Sequence, residues 1–464
     1  MKVAATIIMI WCLAVVTMSI VPASNSYASA STDYFRPGGV TDIDEVVGGY
    51  RALFTCSAHF VAGRTLEQIL DIELRDTASL ELPPPEIDER RQLVTAVGTQ
   101  GDEYIAVYRK SMGCVLLPPD WTSADIVRLP HVSMPDAPNL DDVDFPRGDR
   151  VRFSLTRAQQ RVLDAAFDRK THGDGNITAA VIVLRGTTVL AEQYGNGFSV
   201  HTGYRTWSTA KSVSATLIGI AIRDGLMRLD ENPTIPEWQF GNDPRRAITL
   251  RHLFNMSSGL EGGGNNTNAV YFGGQDVISA VTGTRLEAEP GTRWKYANND
   301  TLLMLRALRA TLADDYRYLR YPYDELFHRI GMHHTRMETD HAGNFIGSSQ
   351  VYTTARDLAR FGILYLNEGV WNGVRLLPEG WTEFVATSAP ARPRKSGERG
   401  YGGQFWLLDT MAGIPQGTYT SAGNKGQYVT IIPERNMVVV RTGVDPLGSR
   451  YEHEALLRAI LEVF

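Results

Sequence analysis

Residues 207–226 read WSTAKSVSATLIGIAIRDGL. From Val213 to Ile222 the positions are apolar or small, and Asp224-Gly225 is a helix stop signal. The stretch predicts a buried helix from Ser208 to about Asp224. Its first turn carries Ser208-Thr209-Ala210-Lys211, an S-x-x-K. Residues i and i+3 share a helix face, so Ser208 Oγ and Lys211 Nζ can meet there. The helix N-terminus favours negative charge on the hydroxyl and disfavours a protonated Lys211. Burial among Val213, Leu217 and Ile218 pushes the amine toward its neutral, basic form. A base within reach is what a serine hydroxyl lacks as a nucleophile. The same four residues also describe an N-cap serine followed by a solvated lysine, and the motif alone leaves both readings open.

The sequence around this helix has the pattern of a mixed domain. Ala179–Leu184 and Thr188–Tyr194 flank Arg185-Gly186-Thr187 and predict a hairpin. Near the other end, Tyr428–Ile432 and Met437–Arg441 flank a Pro433–Asn436 turn. Amphipathic helices are predicted over Thr156–Lys170 and about Glu452–Val463, and the intervening sequence is mainly helical. Strands from both ends would meet in one antiparallel sheet with helices around it. The fold class is therefore α/β of the α+β kind.

Two further elements carry chemistry. Tyr296-Ala297-Asn298 offers a phenol to share a proton with Ser208 and Lys211, and an amide to hold Lys211 or substrate. Alone, it also describes a core tyrosine. Gly423-Asn424-Lys425-Gly426-Gln427 precedes a C-terminal strand. The backbone N–H of Gln427, opposite that of Ser208, would complete an oxyanion hole. Alone, the same segment is a glycine-rich turn. There is no G-x-S-x-G, H-E-x-x-H, G-x-G-x-x-G or Walker A sequence.

Taken in order, the three elements resemble the serine β-lactamase and penicillin-binding-protein family, with its S-x-x-K, S/Y-x-N and K-T-G boxes. The Tyr-x-Asn form resembles the class C branch. Residues 207–226, 248–260, 290–296, 353–361 and 377–381 are similar to the 6-aminohexanoate-dimer hydrolase group within it. The likeness covers about residues 151–464. It implies a sandwich with a central antiparallel sheet and a helical lobe. It also implies acyl transfer through Ser208, with Lys211 and Tyr296 as general base and acid and with no cofactor or metal. Asn298, Asn424 and Gly426 would support or bind substrate, joined by Trp207 beside the nucleophile and Tyr271 in the pocket wall. Asn424 stands where β-lactamases carry lysine, and Lys425 comes one position late. This departure favours esters or short linear amides over β-lactams. The alternatives are a penicillin-binding or sensor protein that acylates without efficient turnover, or a β-lactamase or D-amino-acid peptidase. Gly347-Ser348-Ser349, which leads into a helix start at Thr354, is expected to be structural.

The rest of the chain bounds the setting. Its 464 residues and formal net charge of −6 give no nucleic-acid footprint. Residues 1–30 have Lys2, an apolar run and a final Ala28-Ser29-Ala30, the pattern of a cleaved secretory signal. Export to the periplasm or medium is expected, with no stable membrane anchor after cleavage and a small-molecule amide or ester as partner. Residues 31–130 form an N-terminal accessory region, and 131–150, rich in Pro and Asp, a linker or surface-wrapping segment. Of three cysteines, Cys12 would leave with the signal. Cys56 and Cys114 are expected to form a disulfide in an oxidising compartment.

Overall fold

The computed structural model describes residues 43–75, 82–261, 270–446 and 449–464. The expected signal peptide lies outside the described residues.

The N-terminal part begins with helix α1 (Ile43–Cys56) and a short α2 (Leu66–Ile72). Thr65 and Gln68 cap α2 reciprocally. Strands β1 (Glu86–Asp88), β2 (Leu93–Val97), β3 (Glu103–Arg109) and β4 (Gly113–Leu116) follow as an antiparallel sheet in chain order. Ala52, Leu53 and Cys56 of α1 pack on Val94, Ala106 and Cys114 of this sheet. The Cys56–Cys114 disulfide ties the end of α1 to β4.

The larger part starts at α3 (Arg157–Phe167), again with a capping box, at Thr156 and Gln159. The hairpin β5 (Thr178–Arg185) and β6 (Thr188–Tyr194) follows, then β7 (Tyr204–Arg205) and α4 (Thr209–Arg223). After α5 (Asn298–Leu312), β8 (Arg336–Met337) and β9 (Val351–Thr353) join β7 in a three-stranded sheet of order β7-β9-β8. Next come α6 (Ala355–Leu366) and a small ribbon, β10 (Val370–Trp371) with β11 (Val374–Arg375). Strands β12 (Gly400–Tyr401), β13 (Trp406–Leu407), β14 (Tyr419–Gly423), β15 (Gln427–Ile432) and β16 (Met437–Gly443) lead to the last helix, α7 (His453–Val463).

The central sheet has seven antiparallel strands in the order β12-β13-β14-β15-β16-β5-β6. The two ends of the domain meet where β16 pairs with β5, Val438 opposite Leu184 and Val440 opposite Ile182. Side chains alternate across the sheet. Ile182, Leu184, Val429, Ile431, Val438 and Val440 enter the core shared with α4, α5 and α6. Val181, Val183, Ile432 and Val439 pack under α3 and α7. Both faces are covered, which is why β5 reads as an unbroken apolar run.

The accessory region does not stand apart. Tyr50 and Phe54, one turn apart on α1, belong to the same apolar core as Trp207, Tyr271 and Phe272. A Cβ at Gly49 would lie 1.6 Å from the Phe272 carbonyl oxygen, so only glycine permits this approach. The segment 131–150 follows the surface-wrapping alternative. Buried Arg360 of α6 donates to Pro146 O at 2.9 Å, Gly148 O at 2.7 Å and Asp149 Oδ1 at 2.7 Å. Arg320 holds Ser133 O at 2.9 Å.

Candidate active site

The turn before α4 is tight. Trp207 has φ +49°, a left-handed value that is rare for a bulky residue. Ser208 comes next, and between Thr202 and Ala221 it is the one position that is not buried. Its side chain makes no capping hydrogen bond. Instead, Lys211 Nζ donates to Ser208 Oγ at 3.1 Å, to Asn298 Oδ1 at 2.5 Å and to Ser348 O at 3.0 Å. The N-cap reading of the S-x-x-K is thereby set aside. None of these three acceptors is a carboxylate. Burial alone pushes the Lys211 amine down to about 7 from an ordinary 10.5. At neutral pH a large fraction of it is unprotonated and able to accept the hydroxyl proton.

Tyr296 closes the same corner, with Lys211 Nζ 4.9 Å from its ring centroid. The ring stacks on Trp406 at 5.5 Å and meets the edge of Tyr401 at 5.8 Å. Trp294 adds a fourth ring against Tyr401 at 5.6 Å, under the Arg392 guanidinium at 3.9 Å. Trp294, Tyr296 and Trp406 are half-buried and form an aromatic wall beside Ser208 and Lys211. Tyr271 is buried, and its hydroxyl hydrogen-bonds to Ser348 Oγ. It backs the loop whose carbonyl holds Lys211.

The third element is a turn that leads into a strand, with Gln427 opening β15. Asn424–Gly426 is a turn between β14 and β15, with Lys425 left-handed at φ +55°. Asn424 Oδ1 accepts from the Lys425 N–H at 2.9 Å. Gly426 has φ +83°, and a Cβ there would lie 1.6 Å from Arg441 Nη1. Arg441 donates to Gly426 O at 2.9 Å and pairs with Asp445 at 2.6 and 2.8 Å, so it pins the turn. Gln427 pairs across the hairpin with Gly423. The residue that abuts the Ser208 turn is Gly423, the last of β14: a Cβ there would stand 2.1 Å from Thr206 O and 3.1 Å from the backbone nitrogens of Ser208 and Thr209. The end of β14 is therefore a second candidate for the backbone donor facing Ser208, beside the expected Gln427.

The structure thus gathers Ser208, Lys211, Tyr296 and Asn298, with Trp207 and Tyr271 behind them. Sequence reading missed Ser348, Gly423, Trp406 and Arg441. Ser348 and Gly423 lay in noted segments and Arg441 ended a predicted strand, but no local pattern marks a carbonyl as a lysine ligand.

A family model described as Beta-lactamase matches residues 163–458, well over half of the chain, from within α3 to within α7. The chain belongs to the β-lactamase family. Among curated proteins it is similar to a 6-aminohexanoate-dimer hydrolase of Paenarthrobacter ureafaciens, 24% identical over 57% of this chain and 72% of that protein. Among solved structures it resembles a D-stereospecific amidohydrolase from Streptomyces, TM-score 0.51 at 15% identity, covering 67% of this chain and 99% of that one. A penicillin-binding protein from Bacillus halodurans gives TM-score 0.50 at 15% identity, over 67% and 100%. These structural likenesses bear on the fold: the seven-stranded sheet flanked by α3 and α7 on one face and by the helical lobe on the other is the β-lactamase-like sandwich. As a β-lactamase family member the protein is a serine hydrolase in general type.

Proposed function

We propose that the protein is an exported hydrolase that cleaves a linear amide or ester through an acyl-Ser208 intermediate. The observation that carries this reading is the 3.1 Å contact between a half-buried Ser208 and a fully buried Lys211 with a pKa of about 7. In the first step Lys211 takes the Ser208 Oγ proton, and Oγ bonds to the substrate carbonyl carbon. The oxyanion is held by the Ser208 N–H and a backbone N–H from the end of β14. Tyr296 and Lys211 pass the proton to the leaving nitrogen or oxygen as its bond to the carbonyl carbon breaks. Water then repeats the sequence on the acyl-enzyme and frees Ser208.

The substrate class rests on the third element and on one relative. Lys425 lies in a left-handed turn, not on a strand, and lines a cavity behind Trp207 with Arg64 and Arg205. This favours esters and short linear amides, of which the 6-aminohexanoate dimer of the curated relative is one. Export is supported by the signal-like residues 1–30 and by the Cys56–Cys114 disulfide, a bond typical of oxidising compartments.

The test is a screen of the secreted protein on p-nitrophenyl esters, aminohexanoate oligomers, D-amino-acid amides and cephalosporins, with Ser208→Ala as control. Turnover lost in Ser208→Ala supports the proposal. A lasting label from fluorescent penicillin without turnover of any substrate would replace it with an acylating sensor.

A further inference from the structure

One buried residue holds the chain on both sides of Tyr296. The N–H of Lys295 donates to Met256 O at 2.8 Å, and the N–H of Ala297 donates to Met256 Sδ at 3.4 Å. A thioether is a weak acceptor. Yet Ala297 is buried and its amide lies ahead of α5, beyond the reach of that helix's own carbonyls. Met256 has φ +54°, a left-handed backbone that is costly for a residue other than glycine and persists where the surroundings enforce it. Here the enforcing contacts are specific. Ser257 O accepts from the Gly291 N–H at 2.7 Å, Arg293 Nη2 donates to Leu260 O at 3.0 Å, and Ser258 Oγ donates to the buried Asp300 Oδ1 at 2.7 Å. Loop 256–260 is thus laced to the segment that carries Trp294 and Tyr296 and to the first turn of α5. Met256 also shares a small apolar cluster with Ala297, Tyr401, Trp294, Tyr296 and Trp406.

We propose that Met256 is a positioning residue for Tyr296, fixing the chain at its two neighbours so that the phenol stays aligned beside Lys211. This rests on the hydrolase reading above, in which Tyr296 and Lys211 pass a proton to the leaving group. Alignment of the phenol matters in that step, in proportion to the leaving group's need for a proton. A p-nitrophenolate departs as the anion. An alkoxide or an anilide nitrogen takes up a proton as its bond to the carbonyl carbon breaks. A loosened Tyr296 therefore slows the second kind of substrate more than the first, whereas general damage to the fold slows both alike.

The test uses the full mature chain and a p-nitrophenyl ester, a methyl ester and an anilide that share one acyl group. kcat/KM reports the steps through acylation, so the ratio of the p-nitrophenyl value to each of the others measures the need for an acid. In Tyr296→Phe these ratios should rise by about a hundredfold. Met256→Leu conserves volume and removes the sulfur acceptor. Its ratios should rise by about tenfold, the share of acid catalysis that misalignment forfeits. Met256→Gln, unbranched and of similar length, returns an acceptor to the Ala297 N–H, and its ratios should stay near the wild-type values. If Met256→Leu does not fold, Ser258→Ala decides: it frees the loop from Asp300 and should raise the ratios by about threefold. Ratios that rise in Tyr296→Phe but not in these variants overturn the proposal alone, as do ratios that rise equally in Met256→Leu and Met256→Gln. Unchanged ratios in Tyr296→Phe remove Tyr296 as the acid, and a wild-type protein that cleaves none of the three substrates removes the hydrolase reading. Either result overturns the proposal through its premise.

Discussion

The first turn of α4 and the N-terminal helix α1 both contribute to the same corner of the molecule, but by different physics. At α4 the reactive pair is separated by one helical turn, and the helix itself brings Ser208 and Lys211 together. At α1 the contribution comes from far along the chain: Phe54 and Tyr50 reach Trp207 and Phe272 across more than 150 residues. The first arrangement is chemical and local. The second is mechanical, setting the position of Trp207 and closing the cavity behind it. A change at α4 should therefore remove chemistry and leave the fold, whereas a change at α1 should weaken the fold and leave the chemistry of what remains folded.

Lys211→Met tests the first half of that contrast and carries the largest effect. It removes the proton acceptor while filling the apolar space, so kcat should fall by at least about a thousandfold with the melting temperature held or raised. Loss of fold in step with loss of rate would show that the lysine is structural. Replacing Cys56 and Cys114 by serine tests the second half. The bridge closes a separation of 58 residues, and its loss should lower stability by about 4 kcal/mol in denaturant titrations. At 25 °C the folded fraction should keep kcat near the wild-type value. A collapse of kcat without loss of stability would make the accessory region part of the chemistry and reverse the comparison.

Gly423→Ala lies between the two regimes. Its Cβ would sit 2.1 Å from Thr206 O, so the end of β14 must move away from the Ser208 turn. Displacing one oxyanion donor costs about a hundredfold in kcat or more, with KM less affected. Wild-type rates from this variant would return the second donor to Gln427 or elsewhere.

How much was legible follows the same division. The helix with Ser208 and Lys211, both hairpins and the pairing of the chain ends were read from periodicity and turn residues, because those features are local or repeat every two residues. Asn298 was found because a motif ties it to Tyr296. Ser348 holds Lys211 with a backbone carbonyl, which any residue possesses, so no side-chain pattern marks it. The position of Gly423 depends on which strand of a hairpin faces the cleft, and a glycine-rich turn leaves that register open. The accessory region seemed separate because Pro and Asp interrupt the apolar pattern at 131–150. In fact Arg320 and Arg360 hold that stretch through its carbonyls, contacts that composition does not encode.

The pH profile sharpens the local half. Burial lowers Lys211 to about 7, so its neutral form gains as pH rises through that value. The rate should fall by about tenfold per unit below pH 7. Folding carries the matching signature. Between about pH 7 and 10.5 the unfolded chain binds the Lys211 proton that the native state has shed, so this group's contribution to stability improves as pH rises across that window. An acid limb near 4 would point to a carboxylate base instead.

Tyr271→Phe has the smallest expected effect, and it decides where the two halves of the molecule join. Its hydroxyl bonds to Ser348 Oγ, while the carbonyl of Ser348 holds Lys211, so the tyrosine acts on the lysine at one remove. Its ring meets Phe272 at 5.9 Å, and Phe272 packs on Tyr50 and Phe54 of α1. Removing a neutral buried hydrogen bond costs about 1 kcal/mol, and only part of that reaches Lys211. The expected result is a fall in kcat of less than about fivefold, with KM unchanged and the acid limb of the pH profile still near 7. A rise in KM instead would place the hydroxyl in contact with substrate, as the resemblance implied for this residue. A displaced acid limb would mean that the Ser348 loop, and through it α1, tunes the basicity of Lys211, joining the mechanical region to the chemical one.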